Sequence, residues 1–127
     1  MEGEQPTRGN GKICYLEIPS TDVKASAAFY SKSFGWKIRK DSSGLLAFDD
    51  GVGEVSGMWV LDKKPMTEAG IIISIMVDDA EVTRKLVNDN GGKIIFSMKM
   101  DSGEVILHFT DPAGNIMGIY QEASSKN

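Results

Sequence analysis

The sequence predicts an α+β protein built from two tandem βαβββ modules, and three observations predict it. Each half of the chain reads as a strand, a helix and three further strands. Asp22 precedes Gly35 by thirteen positions, and Asp79 precedes Gly92 by the same interval. A Gly-x-Lys-Ile sequence begins at Gly35 and again at Gly91. Because order, spacing and end residues agree, the chain is interpreted as a unit repeated with a period of about 57 residues.

The first half of the chain supplies the elements of module one. Residues 12–19 alternate between two faces of a strand, which places Tyr15 and Glu17 on one face. Asp22 is a helix-capping residue, and Gly35 ends the helix that follows. Three further strands are predicted at residues 36–39, 45–51 and 55–61.

The second half repeats this order after a polar linker. Residues 70–79 are apolar and β-branched, which favours a strand. Asp79 caps the next helix, Val82 and Leu86 are expected on its buried side, and Gly92 ends it. Three more strands are predicted at residues 93–96, 104–110 and 115–121.

Length and charge fit one compact domain and argue against two classes of partner. The chain has 127 residues, enough for a single core. Its net charge is −4 and its basic residues are scattered, so neither nucleic acid nor a membrane is expected as a partner. The predicted organisation is a flexible tail (1–11), one domain (12–121) made of module one (12–62), a linker (63–69) and module two (70–121), and a polar tail (122–127).

No targeting segment is recognised in the sequence. The first twelve residues lack the apolar centre of a secretory signal, and no apolar run approaches the ~20 residues of a membrane span. Cys14 is the only cysteine, which excludes an intrachain disulfide. A cytoplasmic location is therefore expected. Strand alternation places Cys14 opposite to Tyr15, on the helix side of its strand.

The order of motifs resembles the vicinal oxygen chelate superfamily, which includes glyoxalase I, bleomycin resistance proteins and extradiol dioxygenases. The motifs are IPSTD (18–22), AAFYSKSFGWKI (27–38), VDD (77–79), NDNGGKI (88–94) and FTDPAGNIMGIYQ (109–121). The resemblance implies paired, curved mixed sheets around a cavity, with the helices outside. In metalloenzymes of this family the cavity holds a divalent ion, bound by His, Gln or Glu side chains from the first and last strands of each module.

The four positions that the resemblance assigns to metal ligands do not carry those side chains. Counted from the capping aspartates and the DP-x-G turn, three of them are Tyr15, Ile72 and Gly118, and the repeat maps Gly118 onto the fourth, Gly57. Glycine and isoleucine side chains donate no lone pair, and a neutral phenol is a poor ligand. The only histidine, His108, has no ligand-spaced neighbours. We therefore expect no metal and no other cofactor. Classical metal-dependent lyase activity is not expected either.

Strand alternation predicts an apolar, aromatic cavity lining with few polar groups. The predicted lining residues are Tyr15, Glu17, Gly57, Trp59, Ile72, Ser74, Met76, Gly118 and Tyr120. The alternative is that these side chains simply fill the core. Glu17 is the candidate catalytic residue, as a general base, or else a carboxylate satisfied by neighbouring polar groups.

Three functions remain open from the sequence. The first is a metal-free protein that binds a small, partly apolar molecule in the cavity between the modules. The second is an enzyme of the same superfamily, of lyase, isomerase or dioxygenase type, which is either metal-dependent or uses Glu17 with Tyr15 for acid–base chemistry. The third is an interaction module with a filled cavity. The resemblance also implies a homodimer.

Overall fold

The computed structural model describes residues 6–123 and confirms the α+β class and the two tandem βαβββ modules. Module one contains β1 (Tyr15–Pro19), α1 (Val23–Phe34), β2 (Lys37–Lys40), β3 (Leu46–Asp49) and β4 (Ser56–Val60). Module two contains β5 (Ser74–Met76), α2 (Ala80–Asp89), β6 (Lys93–Lys99), β7 (Val105–Thr110) and β8 (Ile116–Gln121). The described helices include none with the length and apolar character needed to cross a bilayer.

Each module forms one four-stranded mixed sheet, and the two sheets have the same topology. The strand order is β1-β4-β3-β2 in the first sheet and β5-β8-β7-β6 in the second. In both sheets the first strand pairs in parallel with the last strand of its module, and the other pairings are antiparallel. The repeat inferred from the sequence is therefore a repeat of topology.

The predicted start of each helix and the predicted end of α1 are confirmed, whereas α2 ends at Asp89 with Asn90 as its C-cap, before the predicted Gly92. The carboxylate of Asp22 accepts a hydrogen bond from the Ala25 amide, and that of Asp79 accepts from Glu81 and Val82. These bonds satisfy amides that have no partner within the first turn. Gly35 ends α1 with φ 74°, a left-handed conformation that glycine adopts without steric cost.

Both helices belong to one core that the two modules share. α1 and α2 contact each other, and the ring of Phe29 on α1 lies 5.8 Å from that of Phe109 on β7. Fully buried side chains from both sheets join this core, among them Ile18, Phe48 and Ile119. In the single chain, each sheet thus covers the core with one face, and its other face, here called the open face, points away from it.

Several local features differ from the sequence expectations. β5 is much shorter than the predicted strand 70–79, because pairing with β8 covers only Ser74–Met76. Val82, expected on the buried side of α2, is exposed. Cys14, expected under the helix, precedes β1 and is also exposed. The register of β6 against β7 shifts between Ile94 and Phe96, which marks a β-bulge.

The predicted tails lie partly outside the described residues, which exclude 1–5 and 124–127. Within the described part, Thr7 is fastened to the turn before β4. Its backbone amide and its hydroxyl both donate to the carboxylate of Glu54, and the Lys12 ammonium donates to the Glu54 carbonyl oxygen.

Candidate functional site

The open face of the first sheet carries Tyr15, Glu17 and a small polar network. Arg39 donates two hydrogen bonds of 3.0 Å to the Asp49 carboxylate, and Ser56 donates a third of 2.6 Å. The Arg39 guanidinium, and after it the Ser56 hydroxyl, holds the pKa of Asp49 below its usual value. Glu17 is exposed and forms no side-chain hydrogen bond with another described residue.

Gly57 and Trp59 do not share that face with Tyr15 and Glu17. β1 and β4 pair so that Glu17 lies opposite Met58, which places Gly57 and Trp59 on the helix side of the sheet with Leu16. Trp59 is only 3% exposed. The predicted face of Gly57 and Trp59 was wrong, because a one-residue difference in the register of β4 moves every side chain of that strand to the other face of the sheet.

The open face of the second sheet brings the other five predicted residues together. Ser74 lies opposite Gly118, and Met76 lies opposite Tyr120. The space above Gly118 is filled by its neighbours, since a Cβ added to it would lie 2.5 Å from Ser74 Oγ and 3.0 Å from Ile72 Cγ2. Met76 is 64% exposed, so part of this surface is apolar and accessible.

Beside Tyr120, the same open face carries His108, Phe96 and Glu104, which the sequence analysis did not assign to a site. His108 lies opposite Gly118 on β7, and its ring centroid is 5.0 Å from that of Phe96 on β6. The hydroxyl of Tyr120 donates to the carboxylate of Glu104, and this bond raises the pKa of Tyr120. Alternation of β7 left the direction of His108 open, and its pairing with β8 settles it.

The residues at the implied metal positions do not fit a divalent ion. Glu17 pairs with Met58 as Ser74 pairs with Gly118, so the repeat maps Gly118 onto Met58 rather than onto Gly57. A thioether is a soft ligand, and it is joined here by a phenol, an isoleucine and a glycine. Within residues 6–123 no group of three or more His, Cys, Asp or Glu side chains is arranged to hold a metal.

A cleft of about 710 Å³ separates the modules on the helix side of the sheets. Its walls are apolar side chains such as Phe34, Trp36 and Val55, with Asp50 and Asp78 among the polar ones. Of the predicted cavity residues, only Ser74 and Met76 reach it. In one chain, therefore, the predicted residues divide between two open faces and the core.

Comparison with known proteins agrees with this architecture. The family model described as the Glyoxalase/Bleomycin resistance protein/Dioxygenase superfamily matches residues 12–119. A glyoxylase-like domain-containing protein of Didymella fabae is 33% identical over 98 residues, which cover 66% of this chain and 71% of that protein.

Two solved structures have the same fold at low sequence identity. Lactoylglutathione lyase from Agrobacterium tumefaciens superposes with a TM-score of 0.64 at 16% identity, covering 91% of this chain and 97% of the other. A bleomycin resistance determinant encoded on the transposon Tn5 superposes with a TM-score of 0.62 at 18% identity, covering 87% and 98%. With the family match across most of the domain, the chain belongs to the glyoxalase/bleomycin resistance protein/dioxygenase superfamily.

Proposed function

We propose that this chain is a metal-free member of its superfamily that binds a small, partly apolar molecule against the open face of the second sheet. The observation that carries the proposal is the exposed apolar cluster of Met76, Phe96 and Met98 on this face. The same face carries Ser74 and His108, which lie opposite Gly118 on its two neighbouring strands. One hydroxyl and one imidazole within a largely apolar surface are typical of small-molecule sites.

The exposed apolar side chains of this face support an apolar ligand. Met76, Phe96 and Met98 are all exposed on or beside this face. An exposed apolar cluster on a sheet face marks a surface that gains free energy when something covers it. The Phe96 ring, packed beside His108, supplies a flat surface against which an aromatic ligand stacks.

A second copy of the chain is the proposed cover for this surface. The open face of the first sheet exposes Tyr15 and the Arg39–Asp49 pair, so it combines aromatic and polar groups. In a homodimer that face closes over the apolar face of the second sheet and completes a cavity. Such a dimer brings the open faces of the two sheets together in one cavity, whereas in a single chain these faces are separate.

The test uses ligand-induced stabilisation. A thermal-shift screen of uncharged aromatic metabolites and drugs is expected to yield compounds that raise the midpoint with concentration, as mass action requires. Phe96→Asp places a charge on the open face and is expected to abolish the shift. Val52→Asp, at an exposed residue of the inter-module cleft, is the matched control. Loss of the shift in Val52→Asp alone would place the ligand in that cleft and contradict the proposed site.

The metal-free state has its own test. After exchange against Ni, Zn, Mn and Fe and extensive dialysis, elemental analysis is expected to find less than about 0.1 ion per chain, since the donor set holds no competitive ligands. Retention of one equivalent of any of these ions would refute it.

An enzyme is the second candidate, because Glu17 is an exposed carboxylate on the open face of the first sheet. If it acts as a general base on a ligand held between two copies, Glu17→Gln abolishes turnover and leaves ligand binding unchanged. Equal turnover in the wild-type protein and in Glu17→Gln would exclude a general-base role for Glu17.

A further inference from the structure

β5 differs from the other edge strands of the two described sheets in having no protection. An edge strand presents unpaired backbone groups, and proteins usually shield them with charge, proline or a bulge. β2 is mostly Lys and Arg, β1 carries Glu17 and ends at Pro19, and β6 is interrupted by its bulge. β5 consists of Ser74–Met76 and has none of these features. Among the described edges, it is therefore the one that another extended chain can pair with most readily.

The ladder with β8 leaves the backbone groups of Ser74 and Met76 unused. In a parallel pair, alternate residues of a strand bond to the neighbouring strand. The Ile73 carbonyl accepts from β8 at 2.8 Å and the Val77 amide donates to β8 at 2.9 Å, so the odd-numbered residues make these bonds. The amides and carbonyls of Ser74 and Met76 point to the opposite side, and no described residue bonds to them.

The free edge of β5 opens into the cleft between the modules. Residues 73–79 all line this cleft of about 710 Å³. Successive side chains of a strand point to opposite faces of the sheet, so one cavity reaches both sets only along the edge of the strand. Other parts of the wall come from module one and include the half-buried side chains of Phe34 and Val55. A chain that pairs with β5 thus finds apolar surface beside its backbone.

The charge of the cleft indicates what kind of chain it accepts. The charged lining residues are Asp50, Asp78 and Asp79, and the lining contains no lysine, arginine or histidine. None of these carboxylates forms an ion pair with another described residue. A second copy of the chain, with its net charge of −4, would bring its own acidic residues to the cleft, whereas a basic segment is attracted to it.

We propose that the free edge of β5 binds an extended, basic segment of another protein, which adds a strand to the second sheet. The backbone of this segment pairs with Ser74 and Met76. Its apolar side chains lie against the walls of the cleft, and its lysine or arginine side chains lie near the three aspartates. The site is independent of the small-molecule site proposed above, because it uses the edge of β5 and not the open face.

Fluorescence polarisation of a labelled heptapeptide tests the charge preference. The probe is the capped peptide Lys-Val-Lys-Val-Lys-Val-Lys, whose lysines and valines lie on opposite faces of a strand. We expect saturable binding of this probe, and affinity at least about tenfold lower for the peptide in which glutamate replaces every lysine. No saturable binding of the probe, or equal affinity for the two peptides, would overturn the proposal.

Two methylated forms of the probe test the backbone pairing. One carries N-methyl groups on the amides of its valines, and the other carries them on the amides of its lysines. The amides of alternate residues point to opposite edges of a strand, so only one form keeps the donors that pair with β5. We expect that form to bind as the probe does, and the other to bind at least about tenfold more weakly. Equal affinities of the two forms would contradict strand pairing.

Variants of the chain locate the peptide. Ser74→Pro blocks the free edge at the first residue of β5 and leaves the ladder with β8 intact, so it should weaken the probe by about tenfold or more. Asp78→Asn removes an exposed charge of the cleft and should weaken it by about two- to fivefold. Asp101→Asn, at an exposed aspartate outside the cleft, is the matched control and should change affinity less than about 1.5-fold. Equal affinity of the two asparagine variants would refute the site, whether or not Ser74→Pro folds.

Light scattering separates the proposed segment from a second copy of the chain. Ser74→Pro is expected to leave the molar mass unchanged, because the edge is reserved for a different protein. A fall in molar mass from dimer to monomer in Ser74→Pro would show that a second copy pairs with β5, and it would overturn the proposal.

Discussion

The hydroxyl of Tyr30 donates a 2.8 Å hydrogen bond to Oδ2 of Asp111, across 81 positions of the chain. Tyr30 belongs to α1 of module one, and Asp111 begins the turn between β7 and β8 of module two. Asn115 in the same turn donates to the Pro19 carbonyl and accepts from the Met66 amide, so the linker is held as well. The DPAGN motif thus joins the two modules through buried hydrogen bonds.

Tyr30→Phe is expected to lower the free energy of unfolding by about 1–2 kcal/mol, because it removes one buried, charge-assisted hydrogen bond. The loss stays modest because Asp111 still accepts from the side chain of Asn115 and from two backbone amides. Urea unfolding at neutral pH measures it. Tyr15→Phe, at a 48% exposed tyrosine, is the control and should change stability by less than about 0.5 kcal/mol. Equal values for the two variants would contradict this role of Tyr30.

Stability is expected to fall in alkaline solution, and Tyr30 is expected to contribute to the fall. Burial, and after it the charge of Asp111, raises the pKa of Tyr30 well above its usual value. Above pH of about 10 the unfolded chain releases this proton while the folded chain retains it, so the free energy of unfolding decreases as pH rises. The contribution is complete below that pH. Unfolding curves between pH 8 and 11 measure it, and Tyr30→Phe should flatten the alkaline slope. An unchanged slope would refute the assignment.

Gly57 and Gly118, which the repeat placed at equivalent positions, are expected to differ in the loss of stability caused by substitution with alanine. A Cβ at Gly57 would lie 2.3 Å from the Leu16 carbonyl oxygen and 2.5 Å from Phe48 Cζ, both held in the core. Gly57→Ala should therefore cost about 1–3 kcal/mol or more. At Gly118 the nearest atom is the hydroxyl of exposed Ser74, which can rotate away, so Gly118→Ala should cost less than about 1 kcal/mol. Thermal unfolding compares them, and the reverse order would show that the register is misassigned.

The thiol of Cys14 is expected to react in the folded protein. It is exposed and precedes β1, so a disulfide reagent such as 5,5′-dithiobis(2-nitrobenzoic acid) reaches it without unfolding. Release of one equivalent of chromophore in native buffer would agree with this, and Cys14→Ser should release none. Reaction only after denaturation would mean that the residue is covered in the assembled protein.

Local signals in the sequence were sufficient to predict the helices. Asp22 and Asp79 cap the turns that immediately follow them, and Gly35 ends α1 by its own left-handed conformation. These interactions join residues a few positions apart, so the sequence contains both partners in one short segment. The alternating strands were predicted for the same reason, although their ends moved by a few residues.

The composition of the candidate site depended on contacts that a sequence pattern does not contain. Whether Trp59 faces Glu17 or the core is decided by the pairing of β1 with β4, two strands separated in the chain by α1, β2 and β3. The contact between the Phe96 ring and His108 depends in turn on the bulge that follows Ile94. A one-residue change in either register exchanges the two faces of a strand, so alternation alone leaves both possibilities equally good.

β6 is an edge strand of the second sheet, and its bulge affects the tendency of the protein to aggregate. A straight, apolar edge strand offers unpaired amides and carbonyls to any other extended chain, and such pairing starts the growth of fibrils. The irregularity between Ile94 and Phe96 interrupts that row of donors and acceptors, and Lys93 and Lys99 place a positive charge at each end. The exposed side chains of Ile95, Phe96 and Met98 therefore lie on an edge strand with which another chain cannot readily pair.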